Sequence, residues 1–363
     1  MTRLLIVDDS PLMRRLLSEI FSTEPEFEIE TARTGEEALA LIPTFKPDVV
    51  TLDIHMPEMD GLACLDRIMV ECPCPVVMVS SLTAEGAGET LEAMALGAVD
   101  FIAKPRGPVS IEIEAVAPML VEKVRAAAQA RVSRVARLAD RVRFRTAQPK
   151  AASRTPKAGS AKRPAKSAPQ AADRGLVLVG TSTGGPAALD ALLSQLPADF
   201  PWPIVIAQHM PASFTGALAR RLDRLYALNI QEVSSPTPLL PGHAYIGRGD
   251  ADLIISRRGG ALVAMSAPSA EDYHWHPSVD RFVASALQHV VPESLVGVLM
   301  TGMGADGAKM MAELAKQGGH TIAEAEESAV VWGMPGALVG LGGADQVVPL
   351  NEIAGRLTNL IAR

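Results

Sequence analysis

The strongest constraint on the fold is an alternation of short apolar runs and amphipathic stretches through the first hundred residues. The apolar runs have the length of strands, as in LLIV at 4–7 and VVMV at 76–79. Each is followed by a segment whose apolar residues recur at helical spacing. Five such units with short connections predict an α/β domain with a five-stranded parallel sheet and helices on both faces. We place this domain at residues 1–130.

Polar residues stand where the predicted strands of this domain end. They are Asp8, Asp9, Asp53, Ser80 and Lys104. In parallel sheets the functional groups lie beyond the carboxyl ends of the strands. Three crowded carboxylates would hold a hard divalent cation, and magnesium best matches all-oxygen ligands. The lysine and the serine hydroxyl could contact a phosphoryl group. Each aspartate taken alone could be a helix cap, but five polar groups at the ends of four strands favour a site.

A turn of small residues follows another apolar run later in the chain. The sequence GTSTGGP at 180–186 places Ser182 between a strand and a helix that begins near Pro186. Gly180, Ser182 and Gly184 match the spacing of a nucleophile elbow. The same turn could instead cradle a phosphate or merely redirect the chain, so the motif alone does not decide.

A histidine and an aspartate occupy equivalent positions in the same part of the chain. His209 follows the strand-like run at 203–208, and Asp306 lies in a glycine-rich turn after the run at 295–300. A lone histidine after a strand is usually structural, and an aspartate in such a turn is usually a cap. Together with Ser182, at the end of a third strand, they favour a triad.

The predicted triad assigns each residue a role. Ser182 attacks an acyl carbonyl, His209 accepts its proton, and Asp306 orients the imidazole. Backbone amides near Thr183 and Met303 are the predicted oxyanion donors. The chain order serine, histidine, aspartate differs from that of the α/β-hydrolases.

The predicted second domain covers 174–363 and is doubly wound and mainly parallel, with a β-hairpin at the sheet edge around 245–255. A linker at 131–173 separates the domains. A long helix is predicted over 112–145, and from 148 the composition of Ala, Pro, Ser, Lys and Arg indicates a disordered basic tether. Such a tether could touch nucleic acid or an anionic membrane, although a solvated linker is the simpler explanation.

Composition restricts the functional classes. A net charge of -7 argues against a general nucleic-acid binder, and no apolar run has membrane-spanning length. The first residues do not resemble a signal peptide. Three cysteines, all in the first third of the chain, are typical of reduced thiols in a cytoplasmic protein. His274 and His276 have the spacing of some metal sites but no accompanying ligand set.

Residues 1–130 resemble the flavodoxin-like receiver domain of two-component response regulators. The resemblance implies that Asp53 accepts a phosphoryl group, that Ser80 is the switch hydroxyl and that Lys104 contacts the phosphoryl group. It also implies a Mg²⁺ site for phosphorylation, formed by Asp8, Asp9, Asp53 and the backbone carbonyl of His55.

The second domain resembles the catalytic domain of the CheB family of protein-glutamate methylesterases. The resemblance rests on residues 180–186, 208–215, 277–280 and 301–307. It implies hydrolysis of glutamate methyl esters on methyl-accepting chemoreceptors, deamidation of some glutamines, and adaptation in chemosensory signalling. The ester step would need no cofactor. A histidine kinase of the chemosensory array would phosphorylate the receiver, which covers the active site until then.

Some positions depart from the family pattern. Asp252 and His276 stand where the family usually has His and Arg, Gly247-Arg248 replaces Ala-Pro, and the turn at 234–237 is less acidic. These departures concern receptor recognition more than the triad. Two alternatives stay open at this point. One is a DNA-binding response regulator, although the second domain shows no helix-turn-helix with a basic recognition helix. The other is a phospho-switch whose output domain binds partners without catalysis.

Overall fold

The computed structural model describes residues 1–80, 83–104, 109–130 and 175–362. The first domain contains a five-stranded parallel sheet in the order β2-β1-β3-β4-β5. Its strands are β1 (Thr2–Val7), β2 (Phe27–Ala32), β3 (Val49–Asp53), β4 (Val76–Ser80) and β5 (Asp100–Ala103). Its helices are α1 (Pro11–Ser22), α2 (Gly35–Phe45), α3 (Gly61–Glu71), α4 (Ala84–Leu96) and α5 (Val109–Ala128). The predicted parallel sheet is therefore confirmed.

Short polar side chains begin the first three helices. The side chains of Ser10, Thr34 and Asp60 accept hydrogen bonds from backbone amides three residues later in the chain. These bonds satisfy amides that lack partners within the helix. The caps fix where each strand-end loop stops, and so place the loops that carry the polar residues.

The helix predicted over 112–145 differs at both ends. α5 begins at Val109 and ends at Ala128. Residues 131–145 of that prediction, and the predicted tether from 148 to 173, lie outside the described residues.

The second domain contains a seven-stranded sheet in the order β15-β14-β13-β6-β7-β10-β8, with every neighbouring pair parallel. The strands are β6 (Leu176–Thr181), β7 (Ile204–Gln208), β8 (Asn229–Val233), β10 (His243–Gly247), β13 (Leu295–Leu299), β14 (His320–Glu324) and β15 (Gln346–Val348). The helices are α6 (Gly185–Leu193), α7 (Ala212–Leu225), α8 (Val279–Leu287), α9 (Ala308–Lys316), α10 (Met334–Gly340) and α11 (Leu350–Ile361). The central strands β6, β7 and β13 are buried throughout, as expected where helices cover both faces.

The predicted hairpin exists, but its position was wrong. β10 belongs to the parallel sheet and does not pair with the next strand. The hairpin joins β11 (Asp252–Arg258) to β12 (Ala261–Ala267), which form a small antiparallel sheet with β9 (Thr237–Pro238). Gly259 and Gly260 form its turn with φ values of 58° and 84°. Two consecutive positive φ angles suit the two-residue turns of tight hairpins, so this glycine pair was the signal to follow.

The two domains pack against each other. Helix α4 of the first domain contacts α6 and α7 of the second. Phe101 and Phe214 meet across this interface with ring centroids 4.4 Å apart. Among the described helices, none combines the length and apolar character needed to cross a bilayer.

Candidate functional site

Three neighbouring strands bring the predicted triad to one edge of the sheet. β6 lies between β13 and β7, and Thr181 at the end of β6 is in register with Gln208 at the end of β7. Ser182 and His209 each follow directly, and the His209 amide donates to the Thr181 carbonyl over 3.0 Å. Asp306 reaches the same edge from the turn after β13. The predicted convergence at the carboxyl ends of parallel strands is observed.

Neighbouring groups hold the Ser182 turn rigidly. The Ser182 amide donates to the Thr301 carbonyl over 3.0 Å, and the Gln208 side-chain amide donates to the Ser182 carbonyl over 2.9 Å. A Cβ on Gly302 would lie 2.7 Å from the Ser182 Cβ, so only glycine allows the two turns to approach this closely. Gln208 belongs to the segment 208–215 that carries the family resemblance, but the sequence predicted no role for its side chain.

His209 and Asp306 form a buried pair. The His209 Nε2 lies 2.8 Å from an Asp306 carboxylate oxygen, and the two side chains are 3% and 11% exposed. The other ring nitrogen, Nδ1, is buried and has no hydrogen-bond partner among the described residues. Because Nε2 faces a carboxylate, it carries the proton, and Nδ1 is left as the proton acceptor.

The carboxylate of Asp306 caps the amino-terminal end of α8. It accepts hydrogen bonds from the Ser278 hydroxyl and from the amides of Val279 and Asp280, at 3.0, 2.6 and 3.0 Å. Burial alone would raise the pKa of Asp306, but the hydrogen bond from His209 and these amides outweigh burial and lower it. Asp306 is therefore held as an anion in a fixed orientation. Sequence spacing could not show that its anchors lie 26 to 28 residues away.

Two backbone amides beside the serine are unused. Neither the Thr183 nor the Met303 amide donates a hydrogen bond in the described part of the chain. These are the predicted oxyanion donors, and both lie in turns next to Ser182. They are available for an anionic oxygen.

The first domain lies directly on the Ser182 turn. The Thr183 hydroxyl donates to the Asp100 carboxylate, and the Gly184 amide donates to the Val99 carbonyl over 3.1 Å. Gly184 has a φ of 78°, in the left-handed region that favours glycine. Access to the serine is thus restricted in this arrangement.

A buried glutamate, Glu324, is hydrogen-bonded to the turn after β13. Glu324 accepts hydrogen bonds from the Thr301 amide over 2.8 Å and from the Ser328 hydroxyl over 3.0 Å. Burial raises the pKa of Glu324 to about 7, although both hydrogen bonds oppose the shift. No sequence signal distinguishes Glu324, since it ends an ordinary apolar strand.

The strand ends of the first domain carry the second group of predicted site residues. The Lys104 ammonium lies 2.7 Å from Asp53 and 3.1 Å from Asp8. The Ser80 hydroxyl accepts from Thr90 over 2.7 Å and donates to the Gly86 carbonyl, both in α4. Burial is the main cause of a raised pKa at Asp53, and the nearby Asp8 carboxylate adds to it.

The carboxylates of Asp8, Asp9 and Asp53 suit a hard cation. One oxygen from each lies within 4.8 Å of the others, and among the described residues no other group of three metal-ligating side chains comes together. This all-oxygen donor set fits Mg²⁺. The His55 amide donates to Asp53 over 3.3 Å, and the role of the His55 carbonyl stays a prediction. His274 and His276 instead pair with Glu122 and Asp252, at 3.8 and 2.9 Å.

Comparison with known proteins finds two family models along the chain. Residues 177–357 match the family model of the CheB methylesterase, and residues 4–115 match that of the response regulator receiver domain. A protein-glutamate methylesterase/protein-glutamine glutaminase 2 of Rhodopseudomonas palustris is 59% identical over 98% of this chain and 96% of that protein. A similarly named protein of Rhodospirillum rubrum is 52% identical over 100% of this chain and 97% of that protein.

A solved structure shares the second domain. The crystal structure of the Thermotoga maritima CheB methylesterase catalytic domain is 37% identical, with a TM-score of 0.50, over 52% of this chain and 98% of that one.

Proposed function

This chain belongs to the CheB methylesterase family, and we propose that Ser182, His209 and Asp306 are its catalytic triad for hydrolysis of glutamate methyl esters. The observation that carries the proposal is the buried His209–Asp306 pair, which leaves His209 Nδ1 without a partner next to the Ser182 turn. A partner-binding output domain without catalysis would have no need for such a nitrogen.

In the acylation step, the Ser182 hydroxyl attacks the ester carbonyl and His209 Nδ1 accepts its proton. The imidazolium that forms is stabilised by Asp306 through Nε2. The amides of Thr183 and Met303 donate to the carbonyl oxygen as it becomes negative. The carbon–oxygen bond to the methoxy group then breaks, and methanol leaves with the proton from Nδ1.

In the deacylation step, water takes the place of methanol. His209 Nδ1 removes a proton from the water, which attacks the acyl carbon. The bond to Ser182 breaks, its oxygen regains a proton from the imidazolium, and a free glutamate side chain is released. No cofactor takes part in either step.

The first domain regulates access to this site. Asp53 would receive a phosphoryl group from the histidine kinase of a chemosensory array, and Lys104 and Ser80 would contact the phosphoryl oxygens. Asp8, Asp9 and Asp53, with the His55 carbonyl, would hold Mg²⁺. The bound cation would neutralise these carboxylates and attract the phosphoryl group. Because Ser80 bonds to α4, and α4 packs on the second domain, phosphorylation would weaken the cover over Ser182.

The proposed substrates are methylated helices of chemoreceptors, and the proposed domain bounds are 1–130 and 174–363. No nucleic-acid partner and no membrane insertion are proposed. A cytoplasmic location is proposed because the three cysteines, Cys64, Cys72 and Cys74, form no disulfide.

The deciding experiment measures methanol release from methylated chemoreceptor membranes, with and without a small phosphodonor and Mg²⁺. We expect release to rise with the phosphodonor, to vanish in Ser182→Ala, and to lose only its stimulation in Asp53→Ala. Ser194→Ala, at the exposed end of α6, is the matched control and should behave as wild type. Equal activity of wild type and Ser182→Ala would overturn the assignment.

A second activity uses the same site. The names of both close relatives include a glutaminase, and a side-chain amide presents the same carbonyl to Ser182. Ammonia would leave in place of methanol, protonated by the imidazolium. We expect ammonia release from receptors with unmodified glutamines, and its loss in Ser182→Ala. Methanol release without ammonia release would restrict the protein to esters.

A further inference from the structure

An aromatic ring covers His209. The indole of Trp275 lies parallel to the imidazole, with ring centroids 5.5 Å apart and 12° between the planes. Trp275 comes from the segment before α8 and belongs to none of the strand ends that supply the triad. The spacing of its two histidine neighbours was a sequence signal, whereas nothing in the sequence pointed to Trp275 itself.

The segment that carries Trp275 is fixed at both ends by a single carboxylate. Asp252, whose side chain is fully buried, accepts from the Ala270 amide and the Ser278 amide at 3.0 Å each. It also accepts from His276 Nδ1 at 2.9 Å and from Arg281. Trp275 therefore lies in a segment, residues 270–278, whose two ends are bonded to the same side chain. We call this segment the strap.

The charges around the stacked pair are few. The Asp306 carboxylate contacts His209 at Nε2. His274 packs edge-on against Trp275 with centroids 4.8 Å apart, and its Nε2 lies 3.8 Å from Glu122 of α5. No other ion pair of His209 is present in the described ranges, so Trp275 and Asp306 are the groups that a positive charge on His209 would meet.

We propose that Trp275 is a positioning residue for His209. Its indole keeps the imidazole ring in one orientation and stabilises the positively charged imidazolium form. In the mechanism above His209 is positive only after it has taken a proton, in both acylation and deacylation. The face of an indole ring attracts a cation, and more strongly than a phenyl ring does. The stack would therefore favour the charged state formed along the reaction. This proposal rests on the proposed role of His209.

The test compares Trp275→Leu with Trp275→Phe in the full chain, with phosphodonor and Mg²⁺ present. Leucine keeps apolar bulk but has no π face, whereas phenylalanine keeps a smaller one. We expect kcat for methanol release to fall about threefold to thirtyfold in Trp275→Leu and to recover largely in Trp275→Phe, with KM for receptors within about twofold of wild type. We also expect the acid limb of kcat/KM to move to lower pH in Trp275→Leu, because the imidazolium is less favoured.

The matched control is Trp202→Leu. Trp202 packs beside Gly175, just before β6, at the opposite edge of the same sheet from His209. Its loss should leave the pH profile unchanged.

Three outcomes would overturn the proposal. Wild-type kcat and pH profile in Trp275→Leu would remove any role. A raised KM with unchanged kcat would make Trp275 a receptor contact. Equal loss in the phenylalanine and leucine variants, with lowered melting temperatures and an unmoved acid limb, would make it a structural residue. Because Ser182→Ala tests the triad separately, failure of the proposed function would be recognised independently.

Discussion

The Thr183 hydroxyl donates a hydrogen bond to the Asp100 carboxylate, so the residue next to Ser182 is bonded to the other domain. Asp100 is itself held in place by Lys123, whose ammonium lies 2.9 Å away. Both side chains of this ion pair are at most 12% exposed. A charged acceptor in such a setting makes a stronger bond than a neutral one. The cover over the serine thus depends on a specific polar contact as well as on apolar packing.

We expect Asp100→Ala to raise methanol release in the absence of a phosphodonor by about tenfold to a hundredfold. The removal of a charged hydrogen bond weakens the closed arrangement by roughly 1.5–3 kcal/mol, so more molecules expose Ser182. Methanol release from receptor membranes, with and without phosphodonor, measures the effect. The fully stimulated rate should stay close to that of wild type.

The matched control for this variant is Asp48→Ala. Asp48 also pairs with a basic residue of the first domain, Arg3, but lies at the start of β3, away from the interface. If Asp100→Ala and Asp48→Ala raise the unstimulated rate equally, general loosening of the domain explains the effect and the specific contact does not.

A chelator should separate the two halves of the mechanism. EDTA is expected to abolish stimulation by the phosphodonor and to leave the unstimulated methanol release unchanged. Among the described residues, the carboxylates of Asp8, Asp9 and Asp53 are the one group that suits a divalent cation. Restoring Mg²⁺ should restore stimulation.

A variant sharpens the chelator test. Asp9 is exposed, so Asp9→Ala should leave stability within about 0.5 kcal/mol of wild type. It should also raise the Mg²⁺ concentration needed for stimulation about tenfold or more. A loss of unstimulated release in EDTA would contradict the absence of a cofactor in the ester step.

The raised pKa of Glu324 leads us to expect that stability depends on pH. The pKa of this buried carboxyl is raised to about 7 in the folded protein, from 4.5 in the unfolded chain. Between these values the folded state binds the extra proton, so the free energy of unfolding falls as pH rises, and the contribution is lost above about pH 7. The linked loss is roughly 3 kcal/mol. Glu324→Gln should not show it.

Chemical unfolding of the second domain at pH 5, 6, 7 and 8, followed by tryptophan fluorescence, tests this prediction. Wild type should lose stability relative to Glu324→Gln across the series. The exposed Glu293→Gln serves as the control and should run parallel to wild type. Parallel curves for all three proteins would mean that Glu324 is ionised at no cost.

Local patterns were enough to predict that Ser182, His209 and Asp306 lie at one edge of the sheet, because strands, glycine turns and the ends of parallel strands are short-range features. Ser182, His209 and Asp306 each follow a recognisable apolar run. The predicted position of the hairpin was wrong because an apolar run such as β10 has the same sequence pattern in a parallel pair as in an antiparallel pair. The partners of the site could not be predicted: Thr183 meets Asp100 across 83 residues, and Asp306 meets Ser278 across 28. Such contacts depend on how whole elements pack.

The contacts of Asp252 lead to a prediction about stability. We expect this one carboxylate to stabilise the second domain and to hold the strap in place over the site. Burial would raise its pKa, but hydrogen bonds from His276, Ser278 and Arg281 outweigh burial and lower it. A lowered pKa means that the ionised form stabilises the fold above the unfolded value near 3.9, and that this contribution is lost as pH falls through the folded pKa. At pH 7, Asp252→Asn should destabilise the second domain by about 2–4 kcal/mol, because it leaves the partly buried guanidinium of Arg281 without its anion.

The matched control is Asp250→Asn, an exposed carboxylate two residues earlier that accepts one bond, from the Ala212 amide at 3.1 Å. Its cost should stay within about 0.5 kcal/mol. Urea unfolding at pH 7, pH 4 and about pH 3 measures both variants. The gap between Asp252→Asn and wild type should persist near pH 4, because folded wild type keeps Asp252 ionised there. It should narrow at the lowest pH, below the unfolded pKa, where the contribution of the anion begins to be lost. A gap that is the same at pH 7 and at the lowest pH, or no gap at pH 7, would show that the buried anion does not hold the strap.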